Sequence, residues 1–183
     1  VEEAVGREFS GFRRNACFYL PKQIYLSVKL ACKACSCATK IGEMKIERLA
    51  GTDSRLYERV APLVMNPEVL KQNNNYPFKT SDGYVWFVAL DDEGKVRGFM
   101  PVEIRKDNVV INNYYVEGDD ADVLCGLIDS VWKEFGENYA VRAVVHLRHA
   151  GVFAKKRFDV TKEWTLYKKM QKTHGNKEKA KRV

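Results

Sequence analysis

The chain has 183 residues, 45% of them hydrophobic and 30% charged, which suits one domain with a substantial core. Its longest unbroken apolar run, Tyr84 to Leu90, is far short of the ~20 residues of a membrane span, and no basic start with an apolar stretch marks a signal peptide, so a cytoplasmic protein is expected. The net charge of +7 lies in the two ends, because Lys/Arg and Asp/Glu balance over residues 44–170; a broad nucleic-acid-binding face is therefore not expected, and the basic end reads as a solvated tail.

Residues 1–43 hold four of the five cysteines and a poorly patterned apolar run, and read as an N-terminal extension. Cys32, Cys35 and Cys37 sit close together, but a zinc site needs four ligands in tetrahedral array, and no metal is expected. Met44 opens M-K-I-E-R-L, an alternating strand and the expected start of the folded domain. Thr52 or Asp53 caps a helix with Leu56, Val60 and Val64 on one face, and Pro62 should kink or end it. Asn66-Pro67-Glu68 restarts a helix. The run Q-N-N-N-Y-P-F-K-T is loop.

Y-V-W-F-V-A-L reads as a buried strand, D-D-E-G as a hairpin turn, and K-V-R-G-F-M-P-V-E-I-R as the return strand. Pro101 cannot donate to a ladder, so it marks an edge or a bulge. V-V-I-N-N-Y-Y-V reads as a third strand. Asp119 or Asp120 then caps the clearest helix, whose core stripe is Val123, Leu124, Leu127, Ile128, Val131, Trp132 and Phe135, and Gly136 stops it. A-V-R-A-V-V-H is a strand, L-R-H-A-G-V-F-A-K-K-R-F a short helix, and E-W-T-L-Y-K-K-M a last strand. Trp86, Trp132 and Trp164 fall in patterned elements and are expected to pack, as is Cys125. Hairpins followed by a strand–helix–strand crossover predict an α/β (α+β) domain over 44–170, with 171–183 a basic tail.

The order of elements over 44–170, the hairpin D-D-E-G-K-V-R-G-F and the closing run F-A-K-K-R-F-D-V-T-K-E-W-T-L-Y-K-K-M resemble the GNAT superfamily of acyl-CoA N-acyltransferases. Gly98 and Phe99 fall on the family's Gly-Phe pair, Phe158 on the later one. The resemblance implies a mixed, mostly antiparallel sheet flanked by helices, with two central strands splayed apart. It implies acetyl-CoA as acyl donor and a small-molecule or protein amine as acceptor. Cofactor contacts would come from Tyr115, Val116, Gly118, Val123, Leu124, Cys125, Gly126 and Phe153.

Against the family's R-G-x-G-x-G/A loop this chain has A-D-V-L-C-G at 121–126, and only Gly126 matches. Glycines there let backbone N–H groups converge on a pyrophosphate. Here Glu117, Asp119, Asp120 and Asp122 crowd the same place, and like charge should weaken binding. Phe153 stands where the family often has a proton-donating tyrosine. His146, ending its strand, is the candidate base for the amine proton; a partly buried histidine satisfied by the backbone is the plainer alternative. His149 is expected on the next helix, facing outward. Two other readings stay open: a GNAT-fold binding or interaction module without turnover, and a small basic nucleic-acid-binding protein.

Overall fold

The structure is a computed structural model and describes residues 44–174. The cysteine cluster and most of the basic end lie outside those residues. Eight strands and four α-helices follow in the order β1 (Lys45–Ala50), α1 (Ser54–Val64), α2 (Pro67–Gln72), β2 (Tyr84–Leu90), β3 (Val96–Ile104), β4 (Asn108–Ile111), β5 (Tyr115–Val116), α3 (Ala121–Phe135), β6 (Ala140–His146), α4 (Leu147–Lys155), β7 (Asp159–Glu163) and β8 (Tyr167–Lys172). The sheet order is β1-β2-β3-β4-β6-β8-β7, with β5 paired to β3. Every pairing is antiparallel except β4 with β6. This is the mixed sheet that the hairpins and crossover predict, and it is mostly antiparallel as the family resemblance implies. Its last strand runs two residues past 170.

Two cores divide the sheet's faces. On one face α3 and α4 bury Leu124, Leu127, Ile128, Val131 and Phe153 against Met100, Ile111, Val141, Ala143 and Val145. On the other, α1 and α2 bury Leu56, Val60 and Val69 against Leu49, Trp86, Val88, Phe99 and Tyr115. Strand β2 feeds both cores, which is why its sequence is apolar without alternation. Burying one such aliphatic side chain is worth roughly 1.5–3 kcal/mol. The second core takes residues from β1, β2, β3 and β5 but none from β6 to β8. On that side the sheet beyond β4 is therefore left without helix packing from α1 and α2.

Most starts and stops fall where the sequence places them. Asp53, Asn66 and Asp120 are the caps, each accepting from a backbone N–H of its helix's first turn. Gly136 closes α3. Pro62 lies inside α1, which continues only two residues beyond it. Two expected strands are corrected. E-W-T-L-Y-K-K-M is a hairpin joint, with β7 and β8 on either side of Trp164, Thr165 and Leu166. V-V-I-N-N-Y-Y-V is broken into β4 and β5.

The break in that third strand is a slip in its register against β3. β3 pairs with β5 through Gly98 and Phe99, and with β4 through Glu103 and Ile104. Between the two ladders the register slips by one residue, a β-bulge. Pro101 sits in the unpaired interval, where its missing N–H costs no ladder bond. Gly98 is required on the other side, because a Cβ there would lie 2.8 Å from Tyr115 O. The extra residue bends the chain away from β6. β4 and β6 pair only from Asn108↔Ala140 to Ile111↔Ala143 and then part.

Candidate functional site, a cleft where two strands part

The sequence places polar side chains at the divergence. Past Ile111 come Asn112, Asn113 and Tyr114; facing them, β6 presents Val144 and His146. On β6 the buried Val141, Ala143 and Val145 alternate with the half-buried Arg142, Val144 and His146. His146 therefore lies on the set that does not feed the α3–α4 core. A cavity of about 330 Å³ lies here, closed by Asn73, Asn74 and Tyr76 from the loop after α2 and by Tyr167 from β8.

Amide side chains stitch the loop to the bulge. Asn73 Nδ2 donates to Tyr114 O at 2.8 Å, and Asn113 Nδ2 to Tyr76 O at 3.0 Å. Asn113 Oδ1 accepts from the N–H of Tyr114 at 3.1 Å. Backbone groups that lost their ladder are thereby satisfied. Asn74, at φ 53°, donates to Tyr167 Oη at 2.6 Å. Asparagine tolerates this left-handed backbone better than most residues.

His146 caps α4. Its Nδ1 accepts from Arg148 N at a long 3.3 Å, and its ring meets Tyr167 edge-on at 5.3 Å. Burial, then the nearby Arg148 charge, holds its pKa below the ordinary histidine value, with Asp119 opposing. The ring is therefore neutral near pH 7.

On the other side of the sheet runs a hydrogen-bonded chain that the sequence does not suggest. His149 is not outward-facing: it is 4% exposed. Its Nδ1 lies 2.9 Å from Tyr114 Oη and its Nε2 3.0 Å from Asp119 Oδ1. Arg148 Nε also donates to Asp119 Oδ1, at 3.0 Å. Burial lowers the pKa of His149 against the pull of Asp119, and raises that of the Tyr114 phenol well above its usual range. A neutral His149 facing a carboxylate carries its proton on Nε2, so Nδ1 must accept from Tyr114. Tyr114 thus links the stretch between β4 and β5 to α4. The only sign of this in the sequence is an i, i+3 pair of histidines at a strand–helix junction.

The residues expected to contact coenzyme A do not gather into a pyrophosphate seat. Ala121 to Gly126 are the first turns of α3, not a loop. Asp120 already takes the N–H groups of Asp122 and Val123, at 2.9 and 3.3 Å. Val123 and Leu124 are buried in the core, and a Cβ on Gly126 would lie 2.7 Å from Met44 Cε. Cys125 is half-buried. Tyr115 and Val116 are buried in the two separate cores. Gly118 has φ 64° in a 3₁₀ turn over Glu117–Asp119, and Glu117 is paired with Lys95 at 2.9 Å. Phe153 is fully buried against Tyr114 and Phe158. This arrangement does not fit the expected pyrophosphate contacts, because an Asp-capped helical turn fills the place of the glycine loop. Among the described residues, no cluster of His, Cys, Asp or Glu is arranged to hold a metal, and no helix is long and apolar enough to cross a membrane.

No family model and no curated protein matches the sequence. Solved structures do match the fold. Escherichia coli ElaA is 12% identical, with a TM-score of 0.54 over 71% of this chain and 99% of that one. An acyl-CoA N-acyltransferase from Pseudomonas aeruginosa is also 12% identical, with a TM-score of 0.54 over 72% and 100%. The ribosomal-protein-S18-alanine N-acetyltransferase of Escherichia coli is 11% identical, with a TM-score of 0.52 over 70% and 91%. The chain carries the GNAT fold, the fold of acyl-CoA N-acyltransferases.

Proposed function

We propose that this domain transfers an acyl group, acetyl in the simplest case, from a coenzyme A thioester to an amine held in the cleft at the strand divergence. The observation that carries the reading is the cleft itself: β4 and β6 stop pairing after Ile111, and a cavity lined by asparagines, tyrosines and a neutral histidine opens there. The donor class comes from the fold. Residues 117–126 do not fit its pyrophosphate in the expected way, so the roles of individual side chains follow for the acceptor alone.

Asn74, Asn112, Asn113 and Tyr167 offer polar groups that orient an amine, which supplies the positioning term of the rate. His146 takes the amine proton. Its lone pair is on Nδ1, so the long bond from Arg148 N must open as the proton arrives. As the amine nitrogen bonds to the acyl carbon and the C–S bond breaks, the departing thiolate takes its proton from water, because Phe153 has no proton to give and Tyr114 already donates to His149.

A second reading, a GNAT-fold binding module without turnover, is favoured by one observation. The Asp119 pairs with Arg148 and His149 tie the turn before α3 to α4, and Asn73 and Asn113 satisfy the Tyr114 backbone. Both arrangements close the splay from within. The deciding experiment measures free thiol released from acetyl-CoA with and without a panel of amines, alongside the melting temperature with coenzyme A. Acyl transfer predicts amine-dependent thiol and a raised melting temperature. Neither effect would leave the binding module.

A further inference from the structure

Next to the cleft is a smaller cavity of about 140 Å³ whose titratable walls are all cationic: Arg105, Arg142 and Lys169, with Trp164, Val110, Asn112 and Val144 completing it. Asn112 and Val144 also line the larger cleft, so the two cavities adjoin. The register explains the grouping. Arg142 and Val144 are alternate residues on the uncovered face of β6, and Lys169 stands directly across from Val144 on β8.

One of these charges is neutralised from within, because Arg105 bonds Glu103 at 2.7 Å. Arg142 spends only Nε, on the neutral Gln171 Oε1 at 3.1 Å. Among the described residues neither Arg142 nor Lys169 has a carboxylate partner. Trp164, expected in the core, is instead 42% exposed, with Lys162 5.4 Å from its ring centroid. Two half-buried cations on one recess, with no carboxylate partner among the described residues, favour an anion between them.

We infer that the adjoining cavities bind an amine that also carries an anionic group, carboxylate or phosphate, with the anion between Arg142 and Lys169 and the amine beside His146. Arg142 and His146 are four residues apart on one strand, about 13 Å. With side-chain reach, the two groups of the ligand are on the order of 10 Å apart. A short peptide or a long ω-amino acid or amino-phosphate has that span, and a free α-amino acid does not. The anion site stands on its own geometry; only the fate of the amine rests on the acyl-transfer reading.

The test is isothermal titration of the full chain at low salt with hexylamine, 6-aminohexanoate, 6-aminohexyl phosphate and glycine. Trp164 fluorescence, with W164F as control, reports whether binding occurs at these cavities. At least one of the two ω-anionic amines should bind about tenfold or more tighter than hexylamine, weaken as salt rises, and quench Trp164; glycine should not. The anion preferred identifies carboxylate or phosphate. The double variant R142Q/K169Q, checked for an unchanged thermal transition, should lose the preference and leave hexylamine affinity as it was. Equal binding of hexylamine and both anionic amines, a preference that survives R142Q/K169Q, or no heat with any probe would overturn the inference. Binding of an ω-anionic amine without thiol release would count against acyl transfer and leave the anion site intact. Equal turnover of hexylamine and the anionic amines would do the reverse.

Discussion

At the scale of single residues, His149 and His146 have exchanged the roles their positions suggest. His149 is the buried one, and among the described residues no other acceptor bonds the Tyr114 hydroxyl. His149→Ala should therefore destabilise the fold by about 1–3 kcal/mol, the cost of leaving a buried hydroxyl unsatisfied. A double-mutant cycle with Tyr114→Phe should be less than additive, because each single change orphans the other's partner. Additivity in chemical denaturation would show that the contact contributes nothing. His146 sits at an N-cap with its lone pair on a backbone N–H, so any loss in His146→Ala mixes cap and chemistry. Asparagine keeps a capping oxygen and cannot accept a proton near neutrality. His146→Asn is the variant that separates them.

Among the elements, the bulge opposite Pro101 does most to make the cleft. Pro101 was legible as a bulge marker because its chemistry is local. The partner was less legible: V-V-I-N-N-Y-Y-V has β-branched or aromatic residues on both sides of Asn112 and Asn113, and only pairing with β3 shows the slip. The same limit hid the β7–β8 hairpin, whose β7 is exposed along its length and so carries no apolar alternation. Helix caps and core stripes were readable because each depends on neighbours within a turn. The place of the pyrophosphate loop was readable as anomalous from its four acids, and the Asp119 or Asp120 cap with the Val123 and Leu124 stripe already made Ala121–Leu124 helical, as the structure has it. Gly98 makes the element argument testable. Gly98→Ala puts a Cβ against a carbonyl oxygen that cannot move without shifting β5, so it should cost about 1–3 kcal/mol as an overpacking change. A melting temperature equal to that of the parent would mean β5 yields freely.

For the molecule as a whole, both histidines at the strand–helix junction have folded-state pKa values below the ordinary 6.5. The unfolded chain then binds more protons than the folded one just below that value. Stability is fully present above about pH 6.5 and falls as pH drops through the depressed values. Denaturant midpoints between pH 8 and pH 5 should show this decline, and His149→Ala should lessen it. A flat profile would mean that neither ring is neutral in the fold for the reasons given.

The central claim is that an amine sits where β4 and β6 part and loses its proton to His146. The most direct test is the pH dependence of amine-dependent thiol release from acetyl-CoA by the parent protein and by His146→Asn. The parent rate should rise with pH through a value below 6.5 and then level off. His146→Asn should retain the fold, lose that step, and run slower by on the order of a hundredfold, the usual worth of a positioned base. Equal rates and identical pH profiles in the two proteins would contradict the claim.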